Sequence, residues 1–465
     1  MASESVSKSV VWQLVGKFAL QGIAFFSMPI FTRFLTPSDY GYVSLYTSWL
    51  SIFSLLEGLQ VAGSIGNARL EYGEDKLPQY LSSIMTVAFL SFVIILLLFI
   101  GFNNFFSDLL NISSHLIILV VIHSFFSFVI NFEITRLDQL KKVEKSTLLS
   151  LFQTLFAILF SVFLVLTTKG NKAEAKIYGQ AIPIILIGVV IFILIYVRGK
   201  SFWNSSYIKF CLSFTLPLIF HGLGHLIFNQ SDRIMLQDIH GDETLGIYSV
   251  SFSLCSVLTI IYTALNTAWV PFYFDYKKVD DNVKIVLHTK RYIKFFTLIT
   301  IGFLLLSYDV FKIMAPIEYY SGMSIIPIFV LSNFFSFMYL FPVNFEFFKK
   351  KTKIIPIATF SAAIINIFVN WLLIPRFGII GAALGTLISH IFLYCFHEYI
   401  ARKIGKIEYE YKNNFKIFLY PILIITSVCI IFYFSQDNFF FLRWFIAIIS
   451  GVLILKDLWK NKSIF

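Results

Sequence analysis

The stretch LSSIMTVAFLSFVIILLLFIGF, residues Leu81–Phe102, decides the fold class because it carries no charged side chain over its whole length. An α-helix of about 20 residues rises about 30 Å, which is enough to cross the hydrocarbon core of a bilayer. Within that core every backbone polar group needs a partner from the chain itself, so only helices and closed barrels cross it. The run is continuous and does not alternate between apolar and polar residues, which predicts a transmembrane helix.

Composition and the other apolar segments extend this prediction to the whole chain. Of its 465 residues 58% are apolar and 14% are charged, phenylalanine occurs 55 times, and the mean hydropathy is +0.80. A soluble domain of this length is therefore excluded. We predict an all-α polytopic membrane protein with about 14 transmembrane helices. The predicted spans are 9–31, 40–62, 81–102, 115–132, 147–168, 177–197, 211–230, 245–270, 295–315, 323–345, 354–374, 377–400, 415–434 and 439–457.

The positions of lysine and arginine orient these helices. With the N-terminus in the cytoplasm, 28 of the 37 basic residues fall in cytoplasmic segments, 8 fall in outer loops, and Lys17 falls within a helix. Basic residues accumulate in the cytoplasmic loops of membrane proteins. We therefore predict a multi-pass protein of the bacterial plasma (inner) membrane with both termini in the cytoplasm. The net charge of +11 then reflects topology, and no nucleic acid partner is expected.

The loops are short and contain no motif of a known enzyme class. None is longer than about 20 residues, and the patterns GxxxxGK[ST], HExxH and GxSxG are absent from the sequence. The cysteines lie singly inside apolar runs, at Cys211, Cys255, Cys395 and Cys429. We expect no catalytic residues, no cofactor and no metal site. A transporter, by contrast, needs only the helices.

An internal repeat relates the first and seventh spans. Thr32–Leu45 and Asp232–Val250 both give an arginine, an apolar turn, an acidic residue, a glycine and a helix start that contains tyrosine and serine. Both spans run in the same direction, which is typical of two parallel six-helix halves around a central cleft. We predict an N-terminal half over 1–200, a C-terminal half over 201–405 and two additional helices over 406–465.

Three stretches of the chain resemble the polysaccharide flippases of the multidrug/oligosaccharidyl-lipid/polysaccharide exporter superfamily. The resemblance spans nearly the whole chain, includes the number of helices, and is greatest to the Wzx-type flippases of O-antigen and capsule repeat units. The residues that carry it are Lys17 to Pro29 with Arg33-Phe34-Leu35-Thr36-Pro37 and Asp39-Tyr40-Gly41, Ser231–Leu236 with Gly246-Ile247-Tyr248-Ser249, and Asn366 to Ala383.

This resemblance implies a function. The substrate would be undecaprenyl diphosphate carrying a short oligosaccharide, moved from the cytoplasmic to the outer leaflet by alternating access. It also implies contact with membrane lipids, and with a polysaccharide polymerase and a chain-length regulator as partners. An ion-coupled multidrug antiporter of the same superfamily and a membrane polysaccharide polymerase are the alternatives. Lys17, the deepest charge, favours an anionic substrate over cationic drugs, and the short outer loops disfavour a polymerase.

Polar side chains at four-residue spacing on the first and seventh spans predict the substrate site. Residues four apart share a helix face, and the two stripes coincide when Arg33 is aligned with Arg233. A diphosphate and its sugars lose hydration inside a bilayer, so they need cations and hydrogen-bonding groups. We predict that Lys17 attracts the diphosphate; the alternative is that it snorkels to the inner interface. For the two arginines, helix capping or anchoring at the interface is an equal alternative to substrate contact. The candidates are Gln13, Lys17, Gln21, His221, His225, Asn229, Arg33 and Arg233.

Two acidic residues are candidates for binding a coupling ion. Glu57 lies near the cytoplasmic end of the second span, and Glu133 lies at the end of the fourth. Ionisable residues inside membrane spans commonly mark ion pathways. Both positions are also close enough to the interface to be simply solvated, so the coupling ion stays open between a proton, sodium and none.

Overall fold

The computed structural model describes residues 2–405, 416–435 and 440–461, and the regular structure of this part is helical throughout. Two short 3₁₀-helices, Val61–Ser64 and Ile317–Ile325, accompany fifteen α-helices. The α-helices are α1 (Ala2–Phe34), α2 (Pro37–Gly58), α3 (Ile65–Gly101), α4 (Asn103–Leu110), α5 (Ser114–Gln139), α6 (Val143–Thr167), α7 (Lys172–Gly199), α8 (Ser205–Lys278), α9 (Asn282–Met314), α10 (Ile326–Met338), α11 (Leu340–Phe348), α12 (Ile354–Phe377), α13 (Ile379–Ile404), α14 (Lys416–Ser435) and α15 (Phe440–Asn461).

Two glycines with positive φ divide helices that otherwise run on without a loop. Gly241, at φ 79°, separates α8 into segments 205–240 and 242–278, and Gly73, at φ 75°, breaks α3 near its start. Glycine adopts this conformation without the steric cost that a Cβ brings. The described chain has fourteen helical spans when the broken α8 counts as two and α10 with α11 counts as one. The short helix α4 is not counted among them. The predicted all-helical polytopic fold is confirmed.

The helices extend well beyond the predicted spans. The ninth predicted span is 295–315, whereas α9 covers Asn282–Met314 and includes four basic residues before residue 295. Hydropathy marks the edge of the hydrocarbon core, but backbone hydrogen bonding continues into water. Lysine and arginine are also good helix formers. Among the described residues, nine helical stretches are long and apolar enough to span a membrane, the broken α8 being one of them.

The chain divides into two compact units, Met1–Glu243 and Thr244–Phe465. In the first unit α5 is central and packs against α2, α3, α6 and α7. Its Phe125 is fully buried and stacks on Phe92 of α3 at 4.3 Å between ring centroids. The boundary between the units falls at the break in α8, and the predicted six-helix halves stay a prediction.

The turn between α1 and α2 is held by a reciprocal capping box. The Thr36 hydroxyl accepts a hydrogen bond from the backbone N–H of Asp39 at 3.2 Å, and the Asp39 carboxylate accepts one from the N–H of Thr36 at 3.0 Å. Pro37 occupies the first turn of α2, where its missing N–H costs nothing. The sequence Thr-Pro-Ser-Asp therefore has a local structural reason.

A buried lysine fastens α7 to the first two helices. Lys176 is only 6% exposed, and its ammonium nitrogen lies 4.1 Å from the ring centroid of Phe31 and 4.4 Å from that of Tyr40. Two aromatic faces attract a desolvated cation more strongly than one exposed ring does. This aromatic cage stabilises the packing of α7 on α1 and α2.

In the second unit α12 and α13 pack as a pair, and α10 lies against α13 and α14. The last two helices both contact α9. Asp309 of α9 accepts a hydrogen bond from the indole N–H of Trp444 at 3.1 Å and lies 3.6 Å from the Arg443 guanidinium. The last helix, α15, thus docks on α9 through a polar contact as well as through helix packing.

Candidate functional site

A polar cavity of about 490 Å³ lies inside the first unit, among α2, α5 and the 205–240 segment of α8. Cavities of about 300–1,000 Å³ commonly hold small ligands. Its lining residues are Ser51, Ser54, Leu55, Gly58, Gln60, Ala62, Phe128, Asn131, Phe132, Thr135, His221, Gly222, His225 and Leu226.

Helical spacing explains why these side chains converge. The lining residues of α5 recur at intervals of three or four residues. Those of α8 form two neighbouring pairs, 221–222 and 225–226, which lie one helical turn apart. Each set therefore shares one helix face. Seven lining side chains carry hydrogen-bonding groups, and none of the lining residues is Lys, Arg, Asp or Glu. The other seven lining residues are apolar or glycine. The described lining therefore offers hydrogen-bonding groups without a fixed charge, which suits a ligand that carries hydroxyl groups.

A glycine keeps α8 close to α2 at this cavity. A Cβ added at Gly222 would lie 2.6 Å from Leu55 Cδ1 and 2.7 Å from Gln60 Nε2. Both neighbours would have to move, and any larger side chain would extend into the cavity. On each side of Gly222, the α8 face presents His221 and His225.

The two histidines differ in their hydrogen bonding. Within the part of the chain that the structure describes, the buried Nδ1 of His221 has no hydrogen-bond partner. One turn further along α8, the Asn229 amide donates to the backbone carbonyl of His225 at 2.7 Å. The structure thus brings His221 and His225 into the cavity wall and places Asn229 as their neighbour. Imidazole donates or accepts according to its tautomer, so both rings are able to bind sugar hydroxyls.

Glu57 lies directly behind the cavity wall. Its side chain is fully buried, on the same turn of α2 as the lining residues Leu55 and Gly58. The Ser124 hydroxyl donates to Glu57 Oε2 at 2.8 Å, and Oε1 has no hydrogen-bond partner among the described residues. A buried carboxylate with one neutral donor is costly. The predicted role of Glu57 in ion coupling stays a prediction, and its burial beside a single donor supports it.

Further side-chain hydrogen bonds connect α2 and α5 beyond Glu57. The Tyr46 hydroxyl lies 3.1 Å from His123 Nδ1, and the Tyr42 hydroxyl lies 2.8 Å from the Ser113 hydroxyl. Tyr46 is fully buried and His123 is nearly so. The contact between α2 and α5 is therefore polar along much of its length, and Glu57 stands at one end of it.

Glu133 has a different environment from Glu57. Arg136 binds both of its carboxylate oxygens, at 2.7 and 2.5 Å, and Arg198 of α7 lies 3.5 Å from Oε1. A carboxylate paired in this way has its charge already compensated. The predicted role of Glu133 in ion coupling stays a prediction, and its contacts favour a structural role.

Of the remaining predicted residues, Gln21, Arg33 and Arg233 lie outside the cavity lining. Gln21 is exposed on α1, and Arg33 is exposed at the end of that helix. Arg233 follows the buried Asp232 on α8, whose carboxylate accepts a hydrogen bond from the backbone N–H of Arg233 at 2.8 Å. The side chains of Gln13 and Lys17 lie outside the part of the chain that the structure describes.

Several lining residues were not predicted from the sequence. Ser51 and Ser54 on α2 recur three apart, and Asn131 and Thr135 on α5 recur four apart. This spacing is the same signal that identified His221 and His225. Across residues 2–405, 416–435 and 440–461, no group of three or more His, Cys, Asp or Glu side chains is placed to hold a metal ion.

Solved structures of membrane transporters share this fold. The chain belongs to the polysaccharide biosynthesis protein family, whose sequence model matches residues 6–277.

Two similar proteins come from Haemophilus influenzae. The "Lsg locus putative protein 1" is 25% identical over an alignment of 397 residues, which covers 81% of this chain and 95% of that protein. An "Uncharacterized membrane protein" is 24% identical over an alignment of 390 residues, which covers 79% of this chain and 92% of that protein. The similarity to each extends over most of the chain.

Solved structures with the same fold include a flippase and a drug transporter. Lipid II flippase MurJ in an inward closed conformation matches with a TM-score of 0.76 at 15% identity, covering 97% of this chain and 99% of that one. An inward-facing multidrug resistance MATE family transporter matches with a TM-score of 0.62 at 11% identity, covering 84% of this chain and 98% of that one. At these identities the likeness defines the fold alone.

Proposed function

We propose that this protein is a flippase for undecaprenyl-diphosphate-linked oligosaccharide repeat units. It moves them from the cytoplasmic to the outer leaflet of the bacterial inner membrane during synthesis of O-antigen or capsular polysaccharide. The observation that carries this proposal is the uncharged polar cavity in a member of the polysaccharide biosynthesis protein family. The lipid II flippase with the same fold supports a lipid-linked substrate.

The cavity offers what the sugars of such a substrate require. The lipid tail stays in the bilayer, but sugar hydroxyls that leave water must find other partners. Each net hydrogen bond contributes about 0.5–1.5 kcal/mol, and seven lining side chains are able to make one or more. His221 and His225, with Asn229 behind them, bind sugar hydroxyls in this proposal. Exposure of the cavity to the two sides of the membrane in turn moves the sugars across.

The diphosphate needs cationic partners, and the described lining of this cavity contains no lysine or arginine. From the sequence pattern we assign this role to Lys17, with Gln13 and Gln21 on the same face of α1. Arg33 and Arg233 are further candidates. Glu57 binds the coupling ion, since its carboxyl group is buried beside the cavity without a cation next to it among the described side chains.

The multidrug antiporter is the second candidate, because a buried carboxyl group also serves ion-coupled drug export and the MATE fold is shared. Deletion of the gene in its host separates the two. We expect loss of surface polysaccharide and accumulation of finished single repeat units on the cytoplasmic face, both restored by the gene on a plasmid. Normal polysaccharide with altered sensitivity to cationic drugs contradicts the flippase and favours the antiporter. Single units on the surface without polymer would instead indicate a polymerase.

Cysteine labelling tests the proposed orientation in the inner membrane. Asp108 and Glu243 lie in predicted outer loops, Lys142 and Lys350 lie in predicted cytoplasmic ones, and all four side chains are exposed. Cys395 is the exposed native cysteine and is first changed to alanine. A membrane-impermeant maleimide should label single cysteines at the first two positions in intact cells, and at the other two only after permeabilisation. The reverse pattern would overturn the topology with both termini in the cytoplasm.

A further inference from the structure

A second, smaller cavity of about 180 Å³ lies in the first unit among α3, α5, α7 and the turn into α6. It shares no lining residue with the polar cavity. Three cations, Arg136, Lys142 and Arg198, line it together with one carboxylate, Glu74. The rest of its wall is apolar. Nothing in the proposed transport step uses this cavity.

The carboxylates at this cavity are already bound to arginines. Arg69 holds Glu74 with two hydrogen bonds, at 3.1 and 2.8 Å, and Arg136 holds Glu133 through both oxygens. Arg198 reaches Glu133 only at 3.5 Å and is 48% exposed. Lys142 has no carboxylate within 4.0 Å among the described residues. Lys142 is thus left without a carboxylate partner among the described residues, and Arg198 shares Glu133 with the closer Arg136.

The cavity changes from cationic to apolar across the predicted edge of the membrane. Ile195 and Arg198 lie three residues apart on α7, a rise of about 4.5 Å, and both line the cavity. Leu81 lies where the third predicted span begins, and Leu81 and Ile195 are each 4% exposed. Charged groups therefore stand at headgroup level with an apolar wall directly beneath them in the acyl region.

We infer that this cavity binds the phosphate headgroup of an anionic phospholipid from the cytoplasmic leaflet, of the phosphatidylglycerol class. Arg198 and Lys142 hold the phosphate, and the first acyl carbons pack against Leu81 and Ile195. Basic pockets between transmembrane helices on the cytoplasmic side suit anionic headgroups, and guanidinium groups bind phosphate in a fork geometry. The lipid-linked substrate also carries phosphate, but its sugars have no room in this volume, and the phospholipid is the occupant that fits.

Lipid retention by the purified full-length protein, measured by native mass spectrometry, tests this inference. The double variant Lys142→Gln/Arg198→Gln removes the unpaired lysine and the more weakly paired arginine, and leaves the Glu133–Arg136 pair in place. Its matched control is Lys76→Gln/Lys209→Gln, which removes two exposed basic residues from the same predicted side of the membrane outside the cavity. We expect the wild type and the control to retain phosphatidylglycerol over phosphatidylcholine by about tenfold or more. The double variant should lose this preference.

Equal retention by the double variant and the control would overturn the inference. Displacement of the phospholipid by undecaprenyl phosphate, lost in the double variant, would assign the cavity to the substrate instead and overturn it as well. Displacement of the phospholipid by millimolar inorganic phosphate alone would show that the cavity binds free anions, and would overturn the inference. The single variant Arg198→Lys should retain part of the preference, which separates loss of binding from misfolding. None of these measurements depends on transport.

Discussion

Replacing Glu57 by leucine is expected to abolish transport while making the protein more stable to heat. The carboxyl group is fully buried, with one hydrogen bond from Ser124 and no partner for Oε1 among the described residues. An unsatisfied buried polar group costs about 1–3 kcal/mol, and an apolar side chain of similar shape removes that cost. A residue kept in spite of such a cost is typical of a functional site.

The conservative variant Glu57→Gln isolates the charge. Glutamine keeps an oxygen that is able to accept from Ser124 but cannot ionise, so export should fall by about tenfold or more if coupling depends on ionisation, which corresponds to about 1.4 kcal/mol. Surface polysaccharide at equal protein level in the membrane is the readout, with thermal unfolding in detergent beside it. Ser124→Ala is the control, since it leaves the carboxyl group and removes only its donor. Normal export by Glu57→Gln would remove Glu57 from the mechanism.

The sequence predicted Glu57 and the two histidines for a simple physical reason. An ionisable side chain inside an otherwise apolar span costs free energy to bury, so such residues are rare and each one marks a candidate functional position by itself. It did not predict Ser51, Ser54, Asn131 or Thr135, because hydroxyl and amide groups also serve as ordinary contacts between membrane helices. Only the packing of α2, α5 and α8 around one cavity separates these roles.

Glu133 illustrates a second limit of sequence reasoning. Its partner Arg136 lies three residues away on the same helix, and that pair follows from helical spacing. Its second contact, Arg198, comes from α7 and is visible only in the folded unit. Burial and pairing together decide whether such a carboxylate is able to accept an ion, and a single helix does not specify either.

A short repeated sequence connects Glu133 with the second unit. Asn-Phe-Glu occurs at residues 131–133 on α5 and again at 344–346 on α11. In the second unit Glu346 is fully buried and accepts from His397 Nδ1 at 2.9 Å, as Glu133 accepts from arginines in the first. Each unit thus ties a glutamate of this motif to a basic residue on a later helix, α7 or α13. This repeat supports the prediction of two related halves more directly than the glycine-containing turns do.

Filling the polar cavity at Gly222 is expected to stop transport with little loss of stability. A Cβ at this position meets only the flexible ends of Leu55 and Gln60, at 2.6 and 2.7 Å, so Gly222→Ala should be tolerated with small movements of both. Leucine projects further and occupies space that the sugars need. We expect Gly222→Leu to lower surface polysaccharide by about tenfold or more, and Gly222→Ala by a few-fold at most.

Gly302→Leu is the matched control for added bulk, because nothing lies within 4 Å of a Cβ at Gly302 on α9. A cavity that only packs the first unit would respond to Gly222→Leu with a fall in thermal stability that parallels the fall in export. A cavity that binds substrate would lose export at unchanged unfolding temperature and membrane level. His221→Ala/His225→Ala separates the two further, since it enlarges the cavity and removes its imidazoles. A sugar-binding site requires that export be lost both in Gly222→Leu, which fills the cavity, and in the double alanine variant, which removes its imidazoles. Full export by either variant contradicts a sugar-binding site.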